Sequence, residues 1–362
     1  MDSDFLDYIK KLKQDNNLKI VDVHVHPFDV MGLVHYHNYK EGGEGKLFYK
    51  NKKKEKVNYL KPGFSESLKF NNLSFFLSRQ VFKLSPKFIA NEIEDMYGEM
   101  GNKRAIDEMD ASLVDEIVFL PVEPWANTDW SGKYFTDKRF LLLGSLDIYK
   151  IKKEEIENTI EKYIEKYNII GIKLHPNLQN FKPRPKDNSP EIKEKLEEIY
   201  RVAEKRRLFL LFHGGTSFFT KKVSGDYKDF KRSKTNGLLE NFCDTDGTSE
   251  IFDLNIPIVI AHLGHFGIKK ANYNLVKNIT NKYSNVYFDT AGASPSRIKE
   301  FIELIGDERI LLGSDAFYNK MAYAMYFVYQ AAKQTKTDKS LDQIMINILG
   351  GNFYNKILNR ND

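Results

Sequence analysis

Short apolar segments alternate with longer, charged segments along most of the chain. Each apolar segment is five to eight residues long and nearly continuous in its apolar character. This pattern predicts strands of a parallel sheet that is covered on both faces, because a half-exposed strand would alternate apolar with polar residues. The predicted strands are 20–26, 115–121, 140–147, 169–175, 208–213, 257–262, 285–289 and 309–314.

The charged segments between these strands carry apolar residues at helical spacing. They predict helices at 152–167, 190–206 and 295–304, among others. Strands that alternate with helices indicate parallel pairing, and eight such units predict a closed (β/α)8 TIM barrel of the α/β class. No glycine-rich phosphate-binding loop follows a strand, which counts against a doubly wound nucleotide-binding fold.

One segment interrupts this alternation. Residues 28 to about 100 separate the first two predicted strands, a much longer connection than a barrel usually has. The segment contains the lysine-rich KNKKKEKVNYLKPG and the aromatic-rich FNNLSFFLSRQVFKLSPKF. We expect a partly helical, cap-like insertion at the catalytic end of the barrel, within a single domain that spans residues 1–362.

Composition and charge narrow the range of partners. The 362 residues include 55 basic and 50 acidic side chains, a net charge of +5 that is too balanced to indicate nucleic acid. The sequence contains no run of about 18 apolar residues, and its charged N-terminal segment lacks the apolar core of a signal peptide. We therefore expect a cytoplasmic protein without a membrane partner. The only cysteine, Cys243, excludes an intramolecular disulfide and a thiolate zinc cluster.

Ionisable side chains occur at or near the C-terminal ends of five of the eight predicted strands. The active sites of TIM barrels are built at this end of the barrel. Five of the chain's eight histidines are among these residues, which argues against chance placement. The residues are His24 and His26 on strand one, Lys173 and His175 on strand four, His213 on strand five, His262 on strand six and Asp315 after strand eight.

Histidine nitrogens together with a carboxylate oxygen predict a divalent metal site, with Zn²⁺ favoured and Mn²⁺, Fe²⁺ or Ni²⁺ as alternatives. A bound ion lowers the pKa of a water molecule to about 7, which makes a nucleophile at neutral pH. Asp315 can bind the ion and also hold the proton of that water, whereas His262 can polarise a substrate oxygen or transfer a proton. The alternative for His24 and His26 is structural, as histidines that hydrogen-bond within the barrel mouth.

The motifs that contain these residues resemble those of the amidohydrolase superfamily. They are DVHVH, GIKLHP, FHGG, IAHLGH and ILLGSDAF. The resemblance covers residues 20–27 and about 105–320. It is greatest to the branch that includes aminocarboxymuconate-semialdehyde decarboxylase and related lactonases and decarboxylases.

The resemblance implies four metal ligands, namely His24, His26, His213 and Asp315. It also implies that His262 is a catalytic residue beside the metal, or a ligand of a second ion. One ion is favoured, but a carbamylated Lys173 would bridge two, as in binuclear relatives. As a free amine, Lys173 would instead hold a substrate carboxylate or be structural. His175 is either a substrate-binding or bridging residue or a packing histidine.

Two enzymatic functions follow from these expectations. The leading one is a metal-dependent hydrolase that cleaves an amide, lactone or ester bond of a small, anionic or carbonyl-containing substrate. The alternative is a metal-dependent decarboxylase, a carbon–carbon lyase that acts on a cyclic or aromatic carboxylic acid. A binding scaffold without catalysis fits less well, because a scaffold has no use for an open metal position. Relatives are often dimers, so the resemblance also implies a possible homodimer.

Overall fold

A computed structural model describes residues 3–27, 58–61, 102–124, 126–217, 232–316 and 318–358. Within them, eight strands form one parallel sheet in which each strand pairs with the next along the chain. Every observed strand lies inside one of the predicted strand segments. The strands are β1 Val21–Val25, β2 Glu116–Phe119, β3 Phe140–Gly144, β4 Gly171–Leu174, β5 Phe209–Phe212, β6 Ile258–Ile260, β7 Val286–Asp289 and β8 Ile310–Leu311.

Backbone hydrogen bonds between β1 and the residues that follow β8 close the sheet into a barrel. The N–H of Val23 donates to the carbonyl of Leu312 at 2.9 Å. Further along, the N–H of His26 donates to the carbonyl of Ala316 at 2.7 Å. These bonds complete the circle and confirm the predicted (β/α)8 TIM barrel.

Helices cover the outside of the barrel. The predicted helices at 152–167, 190–206 and 295–304 are confirmed to within one residue at each end. Proline occupies the first position of two of them, where its missing N–H and fixed φ suit a helix start. The α-helices are α1 Ser3–Asn16, α2 Asn102–Ser112, α3 Thr128–Tyr134, α4 Lys153–Tyr167, α5 Pro190–Lys205, α6 Tyr273–Lys282, α7 Pro295–Ile305, α8 Met321–Gln334 and α9 Leu341–Ile346. Within the described residues, no helix combines the length and the apolar character that a membrane crossing requires.

Apolar side chains fill the barrel and close its amino-terminal end. Inward residues of the strands, such as Val118 and Val259, form one buried cluster with Phe353 and Ile357 of the C-terminal helical segment. Burying a side chain of this size contributes about 1.5–3 kcal/mol relative to leaving it exposed. Because the amino-terminal end is filled with apolar groups, the polar side chains of the barrel are left for its carboxyl end.

β1 contains a register shift that affects its histidines. Asp22 pairs with Ile117, but Val25 pairs with Phe119, so three steps along β1 match two steps along β2. Such a bulge bends the strand and changes which side chains face inward. Val25 packs in the outer core, between the sheet and the helices, so the two histidines that flank it face into the barrel.

Most of the predicted insertion, residues 28 to about 100, lies outside the described residues. Its four described residues, 58–61, contact the start of α8. The ammonium group of Lys320 donates to the carbonyl of Asn58 at 2.9 Å, and the hydroxyl of Tyr323 donates to the carbonyl of Leu60 at 3.2 Å. The cap-like role of the insertion and the single-domain organisation stay predictions.

Candidate metal centre

Three of the predicted ligands converge at the carboxyl end of the barrel. Nε2 of His24 and Nε2 of His26 are 3.2 Å apart. Oδ1 of Asp315 lies 3.7 Å from the first of these nitrogens and 3.4 Å from the second. Atoms that share one ion at about 2.1 Å lie roughly 3 to 3.5 Å from each other, so the observed spacing is close to that of a ligand set. All three side chains are buried.

The hydrogen bonds on the far side of both imidazoles decide which ring nitrogen carries the proton. Nδ1 of His24 lies 2.8 Å from the carboxylate of Asp289, and Nδ1 of His26 lies 3.2 Å from the carbonyl of Leu120. Both oxygens accept, so Nδ1 is the protonated nitrogen and Nε2 carries a lone pair. Two lone pairs and the Asp315 oxygen then face each other and repel unless a cation lies between them. The donor set therefore fits a divalent metal ion.

The electrostatic environment keeps these side chains in the protonation states that a metal requires. Burial lowers the pKa of His24 and of His213 well below the usual range, so both imidazoles are neutral at pH 7. Burial alone would raise the pKa of Asp315. A hydrogen bond with His26 and electrostatic attraction to the nearby imidazoles outweigh this effect and hold the pKa low. Neutral imidazoles and an ionised carboxylate are the forms that bind metal.

Asp289, at the end of β7, holds two of the site histidines in place. Its Oδ2 accepts from Nδ1 of His24, and its Oδ1 accepts from the backbone N–H of His262 at 2.8 Å. Asp289 is fully buried. Asp289 is not among the predicted site residues, although an aspartate at the end of a predicted strand was a usable signal. A carboxylate behind a ligating histidine fixes the orientation of the ring and its proton.

We expect Asp289→Asn to weaken metal binding about 10- to 100-fold, the usual cost of removing such a supporting carboxylate. An asparagine cannot accept from both His24 and the His262 backbone, because its NH₂ group would face one of two donors. Competition with a chelator of known affinity measures the effect. Asp307→Asn is the matched control, since Asp307 is also buried but binds Lys339. Equal affinities in all three proteins would contradict the role assigned to Asp289.

His262 lies at the centre of the group of histidines. Its backbone has a left-handed φ of 58°, and its Nδ1 donates to the carbonyl of Ala291 at 2.9 Å. Nε2 is therefore the unprotonated nitrogen, and burial lowers the pKa of this imidazole to about 4. The ring is 4.8 Å from that of His24 and 4.7 Å from that of His213. This position beside the ligands is compatible with the catalytic role predicted for His262, which stays a prediction.

His213, the fourth predicted ligand, is not part of the three-residue group. Among the described residues, His24, His26 and Asp315 are the only group of three or more whose possible ligand atoms all lie within 4.8 Å of one another. Nε2 of His213 lies 3.2 Å from the carbonyl of Thr216 and so donates to it, which leaves Nδ1 with a lone pair. The ring of His262 contacts both His24 and His213. Metal binding by His213 stays a prediction.

Two further predicted site residues belong to the fourth strand segment, with Lys173 in β4 and His175 directly after it. Lys173 is fully buried, and its ammonium group has no hydrogen-bond partner among the residues that the structure describes. Burial lowers the pKa of Lys173 to about 8, an effect that Asp289 and Asp315 partly oppose. The ring of His175 stacks on that of His213, with centroids 4.1 Å apart. Metal bridging and substrate binding by Lys173 and His175 both stay predictions.

Glu123, just after β2, is a buried carboxyl group that the sequence analysis missed. Its Oε1 accepts from the backbone N–H of Thr128 at 3.1 Å, and its own N–H donates to the hydroxyl of Ser145 at 3.0 Å. Burial raises the pKa of Glu123 to about 8, so it is mostly protonated at pH 7. The only signal in the sequence is its place between two prolines after a predicted strand. Its hydrogen bonds join the ends of β2 and β3.

The raised pKa of Glu123 predicts a pH-dependent stability. In the unfolded chain this carboxyl group titrates near 4.5, so its contribution is fully present below pH 4.5 and is lost as the pH rises towards 8. Each unit of pKa difference corresponds to about 1.4 kcal/mol, so the loss amounts to a few kcal/mol. We expect Glu123→Gln to remove this dependence and to gain stability relative to the wild type as the pH rises.

Urea unfolding of both proteins at pH 5, 6.5 and 8 measures this difference. Glu165→Gln, on an exposed position of α4, is the control and should follow the wild type. If the difference between the Glu123→Gln variant and the wild type stays constant with pH, Glu123 does not bury a proton.

Comparisons with known proteins agree with this geometry. The family model Amidohydro_2, described as amidohydrolase, matches residues 21–352. A comparison of the sequence with curated proteins finds no match.

Three solved structures share the fold over nearly the whole chain. One is 5-carboxyvanillate decarboxylase from Sphingomonas paucimobilis, with a TM-score of 0.55 and 14% identity over 94% of this chain and 99% of that chain. Another is a TIM-barrel protein from Bordetella bronchiseptica, with a TM-score of 0.52 and 13% identity over 93% of this chain and 98% of that chain. The third is described as amidohydrolase II, with a TM-score of 0.52 and 15% identity over 93% of this chain and 99% of that chain. At these identities the similarity shows the fold alone.

Proposed function

The chain belongs to the amidohydrolase family, whose model spans residues 21–352, and from this premise we propose that it is a metal-dependent hydrolase. Its substrate would be a small molecule with an amide, lactone or ester bond. The observation that supports this proposal is the convergence of three acceptor atoms, from His24, His26 and Asp315, which a cation would join. We propose one ion, Zn²⁺ before Mn²⁺, Fe²⁺ or Ni²⁺, and a second ion only if Lys173 is carbamylated.

When bound at this site, a divalent ion supplies Lewis acidity, which polarises a substrate carbonyl and makes a water molecule more acidic. Asp315 would take up the proton of that water. Its pKa is held low, so it is ionised, and its Oδ1 lies 3.7 Å from Nε2 of His24 and 3.4 Å from Nε2 of His26. The other oxygen, Oδ2, lies beside Gly292, where a Cβ atom would be at an ordinary contact distance of 3.7 Å. Oδ2 is the atom that we assign to proton transfer.

His262 would assist the reaction on the side of the leaving group. Its Nδ1–H is held by the carbonyl of Ala291, so the lone pair on Nε2 can accept a hydrogen bond or a proton. The ring of Phe266 lies 4.7 Å from that of His262 and 5.6 Å from that of His213. This aromatic contact shields the imidazoles from water, which strengthens electrostatic interactions in the site.

The second candidate function is a metal-dependent decarboxylase that acts on a cyclic or aromatic carboxylic acid. The fold similarity to 5-carboxyvanillate decarboxylase, over 94% of this chain, favours it as the alternative. The buried ammonium group of Lys173 is also compatible with an acidic substrate. In this reaction water is not consumed, so the products separate the two candidates.

A product analysis in ¹⁸O-labelled water tests both candidates. The protein, loaded in turn with each of the four metals, is incubated with panels of lactones, esters, amides and aromatic acids. We expect a product that contains one ¹⁸O atom and no release of carbon dioxide. Release of carbon dioxide with no ¹⁸O in the organic product would assign the lyase instead. Absence of turnover with every metal and substrate would contradict both and favour a binding scaffold.

The remaining expectations about partners stay proposals. We propose a homodimer in the cytoplasm that binds no nucleic acid. Light scattering coupled to size-exclusion chromatography measures the mass of the particle against the 42.2 kDa of one chain. A particle of this mass, with no larger species, would contradict the dimer.

A further inference from the structure

The histidines at the barrel mouth differ in whether the ring nitrogen that is free to bind a ligand carries a lone pair or a proton. In four of them, a carbonyl or carboxylate oxygen accepts from one ring nitrogen, so that nitrogen is protonated and the other carries a lone pair. These four are His24, His26 and His262, which present Nε2, and His213, which presents Nδ1. Four imidazoles therefore offer lone pairs, which suit a cation or a proton.

His175 is the exception among the five. The backbone N–H of Leu178 donates to its Nδ1 at 3.3 Å, so this nitrogen carries the lone pair. A ring nitrogen that accepts a hydrogen bond carries no proton, so the proton of His175 is on Nε2. Stacking on His213 at an interplanar angle of 10° holds the ring, and its backbone N–H is bonded to Gln179 at 2.9 Å. His175 is thus a fixed hydrogen-bond donor.

A second donor lies two residues earlier in the chain. Lys173 is in β4, His175 directly follows this strand, and the two side chains interact electrostatically. The Lys173 ammonium group is fully buried, and within the described residues it has no acceptor. Leaving a buried cation without a hydrogen-bond acceptor is costly, so a ligand that brings oxygen atoms to it gains the compensating energy.

We propose that Lys173 and His175 form an anion subsite, which takes a carboxylate group of the substrate while His24, His26 and Asp315 hold the metal. The inference rests on the proposed function, because it places the substrate in the same site. An ammonium group and an N–H group are both donors, so they repel a cation and suit a carboxylate. The proposal therefore assigns His175 to the substrate and not to the metal, and Lys173 is a free amine and not a bridging carbamate.

The electrostatic arrangement supports this division of the site. Asp289 and Asp315 both interact electrostatically with the Lys173 ammonium group. A carbamate on Lys173 would replace this positive charge with a negative one beside the two aspartates. A substrate carboxylate bound at Lys173 would instead be balanced by the positive charge of the ammonium group.

Binding of benzoate, compared with its neutral isostere benzamide, tests the subsite. Calorimetry is done with metal-loaded protein and with protein stripped by a chelator, because benzoate bound to the metal would be lost on stripping. We expect benzoate to bind both forms and benzamide to bind at least about tenfold more weakly. This readout needs no turnover, so it is separate from the test of the hydrolase.

Variants of the two donors complete the test. We expect Lys173→Met to weaken benzoate binding at least about tenfold without changing the metal content. His175→Phe keeps the stacking on His213 but loses the N–H donor, so it should also weaken benzoate binding. His175→Gln retains an N–H near the position of Nε2, so it should keep most of the benzoate binding. Lys195→Met is the matched control, since Lys195 is a buried lysine bonded to the Ile148 carbonyl and should not affect binding.

The melting temperatures distinguish a binding role from a structural one. Methionine replaces a buried, unpaired cation with an apolar side chain, so Lys173→Met should melt at or above the wild-type temperature. Three results would overturn the proposal: no benzoate binding to the stripped wild type, unchanged benzoate binding in both Lys173→Met and His175→Phe, or loss of a metal ion in Lys173→Met. The last of these would identify Lys173 as a bridging ligand.

Discussion

Replacing both His24 and His26 with alanine should leave the protein almost free of metal, with less than about a tenth of an ion per chain where the wild type holds about one. The two Nε2 atoms are 3.2 Å apart and supply two of the three converging ligand atoms. Of the three converging residues only Asp315 would then remain, and a single carboxylate in this position cannot replace two imidazoles. Elemental analysis after reconstitution and removal of free metal measures the effect.

His265→Ala is the matched control for this double variant. His265 is also buried, but its Nε2 accepts from the backbone N–H of Asn272 at 3.0 Å and does not point to the ligand group. We expect this variant to retain its metal. A double variant that keeps one ion per chain would show that His24 and His26 are not ligands. A wild-type protein that takes up no metal would remove the basis of the proposed reaction.

Replacing Asp315 with asparagine should lower kcat by about 10²- to 10⁴-fold, the range of general acid–base catalysis. The amide oxygen of asparagine can still face the histidines, but it cannot take up a proton at neutral pH. The fold should be unaffected, because Asp315 has a left-handed φ of 67°, which asparagine adopts readily. The rate is measured on the substrate that the product analysis identifies.

Metal content and circular dichroism of the Asp315→Asn variant show whether the loss lies in the chemistry. We expect a folded protein that keeps most of its metal. Asp315→Ala provides the contrast, since alanine at a positive φ adds backbone strain and removes the ligand atom. An Asp315→Asn variant with normal kcat would refute the proton-transfer role.

The barrel could be predicted from the sequence because its elements depend on local patterns. The segments that form β5 and β6 are continuous in apolar residues, which is the requirement for a strand buried on both faces. The helices that begin at Pro190 and Pro295 each follow a serine, a local start signal that needs no knowledge of the rest of the chain. The described residues of the insertion, 58–61, are too few to decide its fold.

Part of the site was also predictable, for a general reason. All strands of a parallel barrel end at the same rim, so His24, His26 and Asp315 were expected to meet although they are almost 300 positions apart. Glu123 and Asp289 were missed as site residues. The place of Asp289 at a strand end was visible in the sequence, but the roles of both residues depend on burial and on the particular backbone groups that they contact.

The sequence by itself thus determined the order of the eight strands and the kind of side chain at each strand end, because both follow from residues that are neighbours along the chain. Only the tertiary structure decided the bulge in β1, which of the predicted ligand atoms lie within 4.8 Å of one another, and the nitrogen that is protonated in each imidazole. Those features depend on atoms from other strands and loops. The carbonyls of Leu120 and Ala291 accept hydrogen bonds from His26 and His262, and the folded chain alone brings these partners together.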